Sequence, residues 1–150
     1  MSTIKRFEDL TVWQEARRLT NALYDATVSV RDFAYRDQIR RAAISVMNNI
    51  AEGFERHSDA DFAHFLTMAK GSSGEIRSLL HLGEDRRYFS PDLAIKLRDS
   101  SKTISGGISN LAFYLRKPAH RPYPVSTPTL PASSPRPKDL PTLRPKDLPT

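Results

Sequence analysis

The sequence predicts an all-α protein: an antiparallel up-down-up-down four-helix bundle over residues 1–117, followed by a disordered Pro-rich tail over residues 118–150. Three observations carry this. Apolar residues recur at helical spacing in four successive stretches joined by short links. No segment shows the two-residue alternation of a half-buried strand. Pro91 is the only proline before Pro118, and the other ten crowd into residues 118–150.

The first helix is predicted over residues 10–29, with Asp9 as its N-cap. Val12, Trp13, Ala16, Leu19, Leu23 and Tyr24 share one side, and Gln14, Arg17, Arg18, Asn21 and Asp25 the other. Trp13 fits a core anchor near the bundle end; a ligand-stacking ring is the alternative. Residues 31–36 read as a turn over which Phe33 and Tyr35 pack.

The second helix is predicted over residues 37–54. At about 100° per residue, Ile39, Ala42, Ala43, Val46, Met47, Ile50 and Phe54 fall on one side. Arg40, Ile44 and Ala51 form a flanking stripe. It is either ordinary surface or a strip covered by another subunit.

After a link of a few residues, Ser58 or Asp59 caps a third helix over 59–86. Asp59 and Asp61 suit its positive end. Its core face holds Phe62, Phe65, Leu66, Ala69, Ser73, Ile76 and Leu80. Gly71 and Gly74 each cost about 1 kcal/mol inside a helix, which predicts close packing there or a kink. Ser90 as N-cap and Pro91 at the first position start a fourth helix that runs to about residue 116. Leu93, Leu97, Ile104, Ile108, Leu111 and Leu115 keep its core face, interrupted by Ser100, Ser101 and Gly107.

The tail has too few large apolar residues to offset its ordering entropy. It carries a direct repeat, Arg-Pro-Lys-Asp-Leu-Pro-Thr, at 136–142 and 144–150. The repeat reads either as slippage or as a bivalent linear motif.

The formal net charge is +6 and the chain has no cysteine, so disulfides and cysteine metal sites are excluded. No apolar run reaches the ~20 residues of a membrane span, and no secretory signal is read at the N-terminus. The expected location is cytoplasmic.

No motif carries an evident catalytic constellation. The four histidines, His57, His64, His81 and His120, lack metal-ligand spacing. Gly71-Ser72-Ser73-Gly74 lacks both the Lys of a phosphate loop and the context of a nucleophile elbow. Close helix packing explains it better. Glu52 and Glu75 could do acid–base work. Ion pairing is favoured, Glu52 with Arg56 and Glu75 with Arg40 or Arg41. No cofactor or metal is expected. Lys70, Arg77 and His81 share a stripe of the third helix and, with Arg40 and Arg41, are the candidate nucleic-acid-binding residues. A solvated helix face is the alternative. No aromatic residues interleave with these charges as in a single-strand groove.

The motifs Phe7-Glu8-Asp9-Leu10, Val12-Trp13-Gln14, Gln38-Ile39-Arg40-Arg41-Ala42-Ala43, Asn49-Ile50-Ala51-Glu52-Gly53-Phe54 and Gly71-Ser72 with Glu75 occur in one order over about residues 5–117. In this the chain resembles the bacterial four helix bundle protein family, also called 23S rRNA intervening-sequence proteins. Gly74 and the pair Gly106-Gly107 depart from that pattern. The chain is also similar to the accessory protein of diversity-generating retroelements, a pentameric barrel that works with a reverse transcriptase and RNA. The resemblance implies the bundle fold, a homo-pentamer and an RNA- or DNA-related role.

The expected function is therefore a non-enzymatic, oligomeric bundle. It would bind RNA, DNA or a nucleoprotein partner through electrostatic backbone contacts. The alternative is a protein-interaction scaffold that uses the repeated tail.

Overall fold

The computed structural model describes residues 3–117, which form a short 3-10 turn, Phe7–Asp9, and four helices. These are α1 (Thr11–Ala26), α2 (Phe33–Phe54), α3 (Asp59–Asp85) and α4 (Pro91–Leu115). The predicted disorder of 118–150 and its repeat lie outside the described residues. There is no strand among the described residues. Each helix packs on its chain neighbours, and α1 closes the bundle against α4.

Side-chain hydrogen bonds set the antiparallel registers. Between α1 and α2, Thr20 Oγ1 donates to the Ala43 carbonyl, and Arg40 Nε donates to Thr27 Oγ1. Between α2 and α3, Gln38 Nε2 donates to Glu75, and the hydroxyls of Ser45 and Ser72 lie 2.8 Å apart. Between α3 and α4, Ser73 pairs with Ser101 and Ser105, and Arg98 pairs with Glu84. A core of Leu23, Ile39, Ile50, Leu66, Ile76, Leu80, Ile104 and Ile108 lies between the helices, each at most 1% exposed. Fully burying side chains of this size stabilises by about 1.5–3 kcal/mol apiece.

Local chemistry moves three predicted boundaries. Asp9 does not cap α1: its carboxylate pairs with Arg6 at 3.1 Å, and the N-cap is Leu10, without a side-chain bond. The helix ends at Ala26, where Val28 N and Val30 N turn to the carbonyls of Asp25 and Thr27 in place of the helical pattern. Residues 33–36 are the first turn of α2, which starts at Phe33 instead of 37. Asp32 caps it by accepting from the Tyr35 amide. That bond, and a second from the Tyr88 hydroxyl, hold the Asp32 carboxyl below its usual range. Tyr35 is buried, and its hydroxyl donates to the Leu79 carbonyl, whereas Phe33 is 58% exposed.

The other ends follow prediction. Ser58 caps α3 and Ser90 caps α4, with Pro91 at the first helical position. At the α3 C-terminus, Tyr88 N donates to the Gly83 carbonyl and Arg87 N to the Glu84 carbonyl, a Schellman closure. It places Arg87 at φ 60°, a conformation that favours glycine.

The glycines divide into two kinds. A Cβ at Gly53 would lie 2.7 Å from Phe65 Cβ, and one at Gly107 would lie 2.7 Å from Val12 Cγ1. These two let neighbouring helices approach. Gly71, Gly74 and Gly106 have no such neighbour. Nothing lies within 4 Å of a Cβ at Gly71 or Gly106, and only Arg77 Nη2, at 3.8 Å, lies near one at Gly74. The expectation of close packing at Gly71 and Gly74 therefore fails, and α3 runs unbroken through both. Opposite signs follow. Gly71→Ala is expected to raise stability by about 0.5–1 kcal/mol. Gly53→Ala is expected to lower it by about 1–3 kcal/mol through overpacking. Urea unfolding of the two variants checks both.

Candidate nucleic-acid interface

The five residues singled out from the sequence are not brought together. Arg40 lies in the α1–α2 seam. Its guanidinium stacks 4.3 Å from the Tyr24 ring centroid and donates to Thr27 Oγ1 and to the Tyr24 carbonyl. Those contacts also cover one end of the Arg40–Ile44–Ala51 stripe from within the same chain. Arg41 is exposed and lies opposite the core side of α2. Lys70, Arg77 and His81 stay together, on the edge of α3 that faces α4.

What the sequence missed is the contribution of α4. Arg98, Lys102, Ser109 and Arg116 recur at spacings of four and seven along its α3-facing edge. Arg98 reaches Glu84 at one end, and Arg116 Nη2 donates to Thr67 Oγ1 at the other. Between those ends the buried serines fix the level. Ser73 and Ser101 each donate a hydroxyl to the other's carbonyl, at 3.1 and 3.0 Å. Ser105 donates to the Ser73 hydroxyl at 2.9 Å. That antiparallel register puts Gly74 and Gly106 within about a turn of the same level and Lys102 near the level of Arg77.

The result is a shallow cationic saddle. Residues 63–77 of α3 and 102–117, the second half of α4 and the two residues after it, hold Lys70, Arg77, Lys102, Arg116 and Lys117. Their only carboxylate is Glu75, and it turns away to Gln38 on α2. Asp59 and Asp61 bound the stretch at one end, and Glu84, Asp85 and Asp99 at the other. Lys70 and Lys102 are exposed and enter none of the ion pairs among the described residues. Arg77 Nη2 lies over the space left by Gly74, and its Nε is buried without a hydrogen-bond partner. A buried N–H of this kind wants an acceptor. Gly74 and Gly106 keep the floor low between the cations.

The remaining candidates have structural partners or stand apart. Glu52 pairs with Arg56 at 2.6 Å, as its spacing predicts. Glu75 takes Gln38 in place of Arg40 or Arg41, because Arg40 is committed to Tyr24 and Thr27. Trp13 is half-buried. It meets Phe7 edge-on at 5.1 Å and carries Arg17 on its ring at 5.7 Å. Two hollows open elsewhere. One, of about 310 Å³, lies between α1 and α4, with Leu19, Leu97 and Ile104 at its base and Glu15, Arg18, Ser100 and Thr103 around it. The other, of about 540 Å³, lies at the bundle end beside Phe54, Phe62 and Tyr114. Among the described residues no three His, Asp or Glu side chains converge as a metal site would require. No helix there is long and apolar enough to cross a membrane.

Fold and surface together define a small all-α bundle with a cationic face on α3 and α4. The chain belongs to the 23S rRNA-intervening sequence protein family, whose profile matches residues 8–110. Among solved structures it is similar to a protein of unknown function from the S23 ribosomal protein family of Bacteroides thetaiotaomicron. The match has a TM-score of 0.60 and 22% identity, and it covers 71% of this chain and 100% of that one. At that identity the likeness bears on the fold alone. No curated protein matches the chain.

Proposed function

We propose that this protein is a non-enzymatic, oligomeric bundle that binds nucleic acid, or a nucleoprotein, through the α3–α4 face. The observation that carries this is the run of five Lys and Arg side chains over 63–77 and 102–117 with one carboxylate, itself turned aside. Across residues 1–117 as a whole, 18 basic residues meet 15 acidic ones; α1 and α2 hold a second local excess, Arg17, Arg18, Arg40 and Arg41 with no carboxylate over 16–24 and 38–51, but there Arg17 lies on Trp13 and Arg40 is taken up by Tyr24 and Thr27. Such a face releases counterions from phosphates and tracks a backbone with little base readout. The family's name, which refers to intervening sequences of 23S rRNA, supports a nucleic-acid setting.

Self-association uses the opposite side of the bundle. Tyr24, Val28, Phe33 and Ile44 leave 39, 74, 58 and 37% of their surface exposed on α1, α2 and the link between them. Copies joined there leave every α3–α4 face free, and several faces on one particle raise avidity for a long strand. Five copies, as in the retroelement accessory protein, is the state that the resemblance implies. Fluorescence anisotropy with a short labelled RNA at low salt, with the mass of the same sample measured by light scattering, tests both parts. A folded oligomer that leaves the RNA free would overturn the binding role.

A further inference from the structure

We infer that the nucleic acid taken by this face is single-stranded and that the ring of Phe113 is the platform on which one of its bases stacks. This rests on the nucleic-acid role proposed above and goes beyond it by naming the strand form.

Phe113 is 65% exposed. It stands among the cations. Lys117, one turn further on, holds its ammonium 4.8 Å from the ring centroid. Arg116, three residues on, crosses to Thr67 of α3. Lys70 follows Thr67 by three residues, on the same flank of α3. Ring, ammonium and guanidinium thus share one end of the saddle, and Gly74, Gly106, Lys70 and Lys102 continue it along the helix pair. An aromatic face amid backbone-tracking cations is the combination that holds single strands, because every unpaired base offers a π-face.

A duplex cannot use the ring. Its bases are stacked inside, so it offers the saddle only phosphates. Reach fits a strand of several nucleotides: the rise along α4 from Lys102 to Lys117 is about 22 Å.

The test uses the full chain with labelled oligo-uridylate, oligo-thymidylate and an RNA duplex of equal length, all at one salt concentration. Wild-type protein is expected to bind both single strands more tightly than the duplex. Phe113→Ala is expected to weaken single-strand binding about tenfold and to leave duplex binding unchanged. Phe113→Trp is expected to preserve single-strand binding, with quenching of the new indole when oligo-uridylate is added. Lys102→Glu weakens all three. Equal affinity of Phe113→Ala and wild type for the single strands, with duplex binding intact, overturns the single-strand inference and leaves the electrostatic role standing. Absence of binding to all three probes overturns both. Tight binding of one single strand but not the other, lost in Phe113→Ala, upholds the stacking and adds a preference for the sugar or the C5 methyl group by which the two strands differ.

Discussion

Replacing Lys70 and Lys102 together with glutamate is expected to lower affinity for a short RNA by about 100-fold. The slope of log affinity against log salt on a single strand should become shallower by about 1.4. Both ammonium groups are exposed and enter none of the ion pairs among the described residues, so the exchange removes no contact that the fold uses. They come from different helices and flank the low floor formed by Gly74 and Gly106, so a backbone crossing the saddle meets both. Reversal adds repulsion to the loss of attraction. Arg41→Glu is the matched control, because Arg41 lies on the outer face of α2, and it is expected to change affinity little. Arg40 cannot serve: its stacking on Tyr24 and its bond to Thr27 make it part of the α1–α2 seam. Anisotropy titrations of the two variants, with helicity checked by circular dichroism, decide the matter. A double variant that binds like wild type would place the site elsewhere.

Ser73→Val is expected to destabilise the bundle by about 2–4 kcal/mol. Ser73 has no exposed surface, and the α3–α4 approach is built around its small volume. One methyl group takes the place of the hydroxyl and a second is added, which overpacks that contact at about 1–3 kcal/mol. The Ser105 hydroxyl, 7% exposed as a residue, loses its acceptor, which costs about 1–3 kcal/mol if no other partner is found. Ser101 keeps its bond, because that bond goes to the Ser73 main-chain carbonyl. Ser72→Ala is the comparison. Its hydroxyl meets Ser45 in a half-buried seam, and its loss should cost no more than about 1 kcal/mol. Urea denaturation of both variants reads the difference. Equal stabilities would mean that the serines do not set the α3–α4 distance, and the level of Lys102 beside Arg77 would lose its basis.

How much was legible in the sequence depends on the range of the interaction. The α3 and α4 starts were legible because Ser58, Ser90 and Pro91 act on their own first turns. The start of α2 was not, because Arg31 to Arg36 looks like a polar turn until Asp32 is seen to cap Tyr35 and the core to receive that ring. The α3 half of the cationic face was legible, since Lys70 and Arg77 lie seven apart on one helix. The α4 half was hidden: it depends on a register fixed by buried hydroxyls and by the Glu84–Arg98 pair, and spacing within one helix does not reveal that. Phe113 and Lys117 lie four apart, so their contact was legible by spacing; their place beside the α3 side chains, through Arg116 and Thr67, was not. Gly74 and Gly106 were seen as departures from a family pattern. Their open surroundings were not what packing alone predicts.

The most direct test of the central claim is the salt dependence of RNA binding by the wild-type chain, followed by anisotropy from low to moderate ionic strength. With five cations on each α3–α4 face, the account predicts a linear fall of log affinity with log salt and a slope of about −3 to −4 on a single strand. A salt-insensitive affinity, or no binding at the lowest salt by a folded protein, would contradict it.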